Sequence, residues 1–102
     1  MKHRKVYWTD PAKNRIKEIY LFYRARSPKA AQKIRKKLLT RPRPLNKMPE
    51  LGPSEPKLIH KGNYRYLVEM NWKIIYKVTD DRILILDVFD TRQDPDKLET
   101  IK

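Results

Sequence analysis

YRYLVEMNWKIIYKV, residues 64–78, is the stretch on which the fold of this 102-residue chain turns. Tyr64, Tyr66 and Val68 alternate with Arg65, Leu67 and Glu69, and Trp72, Ile74, Tyr76 and Val78 alternate with Lys73, Ile75 and Lys77. A period of two is the pleat of a β-strand. The break at Met70-Asn71 leaves room only for a tight connection, so the two runs read as an antiparallel hairpin. Pairing Tyr66 with Ile74 sets both aromatic and aliphatic rows on one face, against helices. Arg65, Lys73 and Lys77 then point out of the other side as a basic open face.

Downstream, Thr79-Asp80-Asp81 is a turn into Ile83-Leu84-Ile85-Leu86-Asp87-Val88-Phe89, apolar at consecutive positions as a central strand covered on both faces must be. Asp90 to Pro95 then leaves the sheet. Upstream, the Pro and Gly content from Arg41 to about Pro56 marks a loop, opened by Arg41-Pro42-Arg43-Pro44, where each proline removes a helical N–H. Before the loop come two helix signals. Val6 and Trp8 form a short first strand, Asp10 is placed to cap, and Pro11 fits a first helical turn. Ala12, Ile16, Ile19, Tyr20 and Tyr23 then recur at helical spacing to about Arg26. Ser27-Pro28 repeats the start signal for a second helix with Ala31, Ile34 and Leu38 on one side and Lys29, Lys33, Lys36 and Lys37 on another. The order β-α-α-β-β-β predicts an α+β fold: an N-terminal strand, a helical hairpin, then a three-stranded antiparallel meander, in one mostly antiparallel sheet.

This length holds one modest core, which predicts a single domain over residues 1–102. The absence of cysteine excludes a disulfide framework, a thiolate nucleophile and cysteine-based zinc sites, and suits a reducing cytosol. His3 and His60 are far apart and neither has an i, i+4 partner, so no metal site is expected. There is no signal-peptide run and no apolar stretch of spanning length, which predicts a cytoplasmic protein without a membrane partner. A formal net charge of +13 is large for one small domain. Lys and Arg crowd residues 29–43 while the acids collect from Asp80 onward, a polarised distribution that favours an anionic partner over simple solubility.

The element order, the size, the charge and three local patterns together resemble the RelE/ParE toxin family of type II toxin-antitoxin systems. The patterns are VYWTDPAKNRIKEIY at the N-terminus, the hairpin quoted above, and the closing ILILDVFDTRQDP, and the likeness covers roughly residues 5–98. It implies a small toxin held inactive by a cognate antitoxin that covers its apolar and basic patches, with no cofactor. Two chemistries occur on this fold. Members resembling RelE cut messenger RNA on the ribosome through the RNA's own 2′-hydroxyl, which needs a proton acceptor and cations around the phosphate. The resemblance places Arg65, Lys73 and Arg92 in that catalytic role. Members resembling ParE block DNA gyrase instead.

This chain departs from the nuclease pattern. Tyr64 and Tyr66 stand where such nucleases have paired lysines, and Gln93 to Leu98, after Arg92, contain neither the histidine nor the tyrosine expected there. Lys73 stands for an arginine and lacks its two-pronged grip. These departures, with the long helical hairpin, favour the ParE-like reading, with the metal-independent mRNA endoribonuclease as the alternative and a plain basic nucleic-acid-binding module as a second. The last would need Tyr64 and Tyr66 exposed on the open face as a stacking platform. Lys57, His60, Lys61 and Lys77 are the expected target-binding residues, and Leu21 and Phe22, off the main apolar stripe, the expected antitoxin contacts. Tyr66 and Tyr76 read as core aromatics, and Trp8 and Trp72 as packing residues.

Overall fold

In the computed structural model, which describes residues 3–100, four strands and two helices appear in the expected order. They are β1 (Lys5–Trp8), α1 (Asp10–Arg24), α2 (Pro28–Thr40), β2 (Tyr64–Glu69), β3 (Trp72–Val78) and β4 (Arg82–Asp90). The sheet order is β1-β4-β3-β2; β1 runs parallel to β4 and the other pairs are antiparallel. β4 is therefore central, as its continuous apolar run predicted.

Local chemistry accounts for the helix boundaries. Ser27 caps α2, its hydroxyl accepting from the Ala30 N–H at 3.2 Å, a contact worth about 1 kcal/mol. At α1 the expected cap is corrected: the flanking residue is Thr9, and Asp10 is the first helical residue. Thr9 donates its hydroxyl to the Ile85 carbonyl at 2.7 Å, pinning the strand-to-helix corner to β4. Asp10 contributes a negative charge in the first turn, which the helix dipole favours. The helix stops at Arg24, two residues before the expected end. The loop after α2 is a short 3-10 turn, Arg43–Asn46, that buries Leu45.

The main core lies between the helices and one sheet face. Ala12 and Ile16 of α1 and Leu38 of α2 meet Leu67, Trp72, Ile74, Tyr76, Ile83, Ile85 and Val88, with Trp8 and Ile34 packed alongside. Here β3 keeps the expected phase and β2 does not. Tyr66 pairs with Ile75 and Leu67 with Ile74, because Glu69 pairs with Trp72 across a two-residue turn. Met70 takes φ 54° there, the positive value that primed hairpin turns demand of their first central residue. A shift of one position turns a strand over, so Leu67 and Arg65 lie on the helix side and Tyr64 and Tyr66 on the other.

The second face is not open. Leu58, Tyr64, Ile75, Phe89 and Leu98 form a smaller core there, with Tyr66 and Leu86 at its margin. It is roofed by the segment around the 3-10 turn Ile59–Lys61 and by the 3-10 turn Pro95–Thr100. Lys57 and Asp96 join these two covers at 2.7 Å. A bulge between Ile75 and Tyr76 shifts the β3–β4 register, which brings Asp87 to Arg15 of α1 at 3.0 Å.

Candidate functional site

The three cations expected to act together lie in three separate settings. Arg65 sits on β2 at the helix-side margin, opposite Tyr76. Its guanidinium donates to the Gly52 carbonyl at 2.7 Å and to Asn63 at 3.0 Å. It therefore fastens the strap 49–55 to the sheet edge. The strap is held at several further points: the Tyr66 N–H donates to the Pro53 carbonyl at 3.1 Å, and the Glu55 N–H to the Tyr64 carbonyl at 2.9 Å. The buried Tyr76 hydroxyl donates to the Pro49 carbonyl at 2.8 Å and accepts from the Gly52 N–H at 3.0 Å. Burial raises the Tyr76 hydroxyl above its ordinary pKa of 10.0. Gly52 is the residue that permits this approach, since a Cβ there would lie 2.1 Å from the Tyr66 carbonyl oxygen.

Lys73 lies on the other face. Its ammonium is 3.0 Å from Glu55, whose side chain is only 1% exposed, and 4.3 Å above the ring of Tyr66. Lys77 sits 5.4 Å above the ring of Tyr64. The basic face expected from Arg65, Lys73 and Lys77 is therefore corrected on two counts: Arg65 belongs to the opposite face, and the two lysines lie over tyrosines on a covered surface. Tyr64 is itself 4% exposed, which removes it as a stacking platform for bases. Tyr66 is half-buried beside the second core rather than within the first.

Arg92, just past β4, forms a two-pronged pair with Asp90 at 3.0 and 2.7 Å. Its hydrogen bonds lower the Asp90 carboxyl to about 2 from an ordinary value of 3.8. Asp90 in turn raises the Arg92 guanidinium. The pair forms one wall of a cleft of about 320 Å³ between α1 and the ends of β3 and β4, floored by Ile19, Tyr23, Trp72 and Val88 and edged by Phe22 and Arg15. Phe22 is 56% exposed and Leu21 42%. This cleft, apolar below with charged lips, is what sequence reasoning missed. The signal lay in Phe22 and Arg92 separately, but nothing in their spacing says that α1 brings them together.

Of the remaining expected residues, His60 and Lys61 are exposed on the turn Ile59–Lys61, whereas Lys57 is engaged by Asp96. Among the described residues no group of His, Asp and Glu could hold a metal ion, and no helix is long and apolar enough to cross a membrane.

Comparison with known proteins agrees with this architecture. The family model described as the ParE toxin of the type II toxin-antitoxin system parDE matches residues 6–95. No curated protein matches the chain. A solved structure of the chromosomal ParDE TA system from P. aeruginosa is similar at a TM-score of 0.70 and 20% identity, covering 86% of this chain and 96% of that one; at that identity the likeness speaks for the fold. With the family model spanning most of its length, the chain belongs to the ParE toxin family, and it is the toxin of a type II toxin-antitoxin pair whose partner is a cognate antitoxin.

Proposed function

We propose that this toxin acts in the cytoplasm, as a single domain, by inhibiting DNA gyrase, and that it does not cut messenger RNA. The observation that carries the reading is the separation of Arg65, Lys73 and Arg92. Arg65 is committed to the Gly52 carbonyl, Lys73 to buried Glu55 on the opposite face, and Arg92 to Asp90. Cleavage by the 2′-hydroxyl needs cations converging on one phosphate beside a proton acceptor. Here Arg65 and Lys73 hold the fold together, and Arg92 is paired locally with Asp90 at the cleft rim, away from both. Inhibition by occupancy asks only for a shaped surface, and the cleft under Phe22 together with the exposed His60-Lys61 turn supplies one. The antitoxin then covers Leu21, Phe22 and the cleft floor, where apolar contact is available to a partner.

Purified toxin added to purified gyrase and relaxed plasmid is expected to stop supercoiling, and induced expression without antitoxin to halt DNA synthesis before protein synthesis in pulse labelling. If protein synthesis stops first and messages are trimmed, the nuclease reading replaces this one.

A further inference from the structure

From Ile19 to Pro49 the chain carries ten Lys or Arg and not one Asp or Glu. The fold gathers much of this one-signed run on α2. Ala31 and Leu38 are the buried residues of that helix. Lys29, Lys33 and Lys36 lie on the side away from them, where 3.6 residues per turn places them in one row, with Lys37 at its flank. All four are exposed. The ion pairs elsewhere use Arg15, Lys57, Lys73, Arg82 and Arg92. Among the described residues, none of the α2 lysines meets a carboxylate. Lys29 and Lys33, and Lys33 and Lys37, are like charges at i, i+4, an arrangement that opposes the helix bearing it. A solvated face chosen for solubility would mix signs. The positive surface continues past the helix through Arg43 to a hollow of about 500 Å³ lined by His3, Arg4, Lys5, Val6 and Asn46, again without an acid.

We propose that the outer face of α2, anchored on Lys29, Lys33, Lys36 and Lys37, is a docking surface for the phosphate backbone of duplex DNA. The row spans about 12 Å at 1.5 Å per residue, matching the roughly 12 Å major groove of B-form DNA that admits a helix between its phosphate rims, whereas the deep, narrow major groove of A-form RNA does not. An acidic protein segment is the poorer occupant. Protein partners anchor on buried apolar or aromatic contacts, and the one large apolar side chain exposed on α2 is Leu39 at 38%. The surface reads charge and spacing, not sequence. It holds the toxin on DNA whatever its target, so it stands apart from the gyrase reading and is tested without gyrase.

The experiment is fluorescence anisotropy of a labelled 20-base-pair duplex, DNA in one arm and RNA in the other, titrated with the full chain from 50 to 300 mM salt. The parent is expected to bind at 50 mM with an affinity that falls linearly in log–log form. The Lys29→Gln, Lys33→Gln, Lys36→Gln, Lys37→Gln variant is expected to reduce the slope by about 3 to 4, from roughly 0.9 for each phosphate that is no longer neutralised. Its affinity at 100 mM should fall at least tenfold. Because the variant relieves like-charge repulsion, it keeps the parent's circular dichroism and melting temperature. A Lys61→Gln, Lys97→Gln variant, altered in the segments that roof the opposite sheet face, keeps most of the parent slope. The DNA arm is expected to be the tighter one, and tighter binding of the RNA duplex overturns the assignment to DNA. An unchanged slope in the α2 variant, a loss as large in the Lys61/Lys97 variant, or no binding by the parent at 50 mM overturns the proposal.

Discussion

The two faces of the sheet are built on opposite terms. Beneath the helices, Ile74, Tyr76, Ile83 and Ile85 bury against Ala12, Ile16 and Leu38. The only polar atom of the Tyr76 side chain is satisfied by the strap backbone. On the far face a handful of apolar residues share space with Lys73, Lys77 and a fully buried Glu55. The cations there lie over tyrosine rings or against that carboxylate. A basic alternation in sequence is thus not a basic surface. Of the lysines read as a basic open face, Lys73 pins the strap through Glu55 and Lys77 lies over Tyr64 of β2, and the charge left for partners is on α2 and at the cleft rim.

If the helix side is the thermodynamic centre, truncations on the two faces must differ. Leu38 and Leu58 are both fully buried. Leu38→Ala is expected to cost about 3–5 kcal/mol, because the surrounding strands and helix cannot close the void. Leu58→Ala should cost about 2–3 kcal/mol, since Leu58 itself lies in a covering loop segment that can settle inward onto the strands. Urea unfolding of both variants measures the difference, and equal losses would erase the distinction between the faces.

Next in size is the ion pair under the roof. Lys73→Ala strands Glu55 without its cation and is expected to cost about 3 kcal/mol, near the low end for a broken buried pair, since the Lys73 side chain is 25% exposed. The double variant Glu55→Leu, Lys73→Met should recover to within about 1 kcal/mol of the parent, because two apolar side chains need no mutual charge. The residual loss is the Lys57 N–H, which gives up its Glu55 acceptor at 3.2 Å. Recovery of both stability and toxicity in the double variant marks Lys73 as a structural residue. Recovery of stability alone would return it to the candidate site.

A smaller test sharpens the helix side. Tyr76→Phe removes the acceptor of the Gly52 N–H and the donor to Pro49, and is expected to cost about 1–2 kcal/mol. The strap should loosen before the sheet does, seen as faster amide exchange at Gly52 than at Ile74.

These contrasts also explain what was legible in the sequence. Element order, the central position of β4, the α2 cap at Ser27 and the β3 phase each follow from one local pattern. The β2 phase does not, because Tyr64, Tyr66 and Leu67 supply apolar side chains to both faces and both faces are buried. The deciding constraint was the turn. A two-residue connection pairs an odd-numbered with an even-numbered position, so Tyr66 and Ile74 can never be partners across Met70-Asn71. The local commitments of Arg65 and Lys73 were out of reach, since Gly52 and Glu55 lie in a loop whose path no periodicity encodes. The cleft under Phe22 depends on the packing of α1 against β4, a tertiary fact.

The smallest effect lies at the cleft rim and concerns charge alone. In Arg92→Gln the Asp90 carboxyl loses the partner that contributes most to lowering it. It still accepts from the backbone N–H of residue 92 at 2.9 Å and from Asn71 at 3.5 Å. Its pKa should therefore rise from about 2 only part of the way to 3.8, read from the carboxyl carbon shift of Asp90 in an NMR titration. The sign for stability follows. A carboxyl whose folded pKa is depressed stabilises the fold above its unfolded value, and that contribution is lost as pH falls from 3.8 through about 2. The parent should accordingly lose more stability across that window than Arg92→Gln does, while the two differ little in shape. Because Arg92 is 67% exposed on its side chain, water and salt screen the pair and keep the difference small. A full return to 3.8 would mean that the guanidinium alone sets the carboxyl, and no change at all would mean that the backbone at residue 92 does.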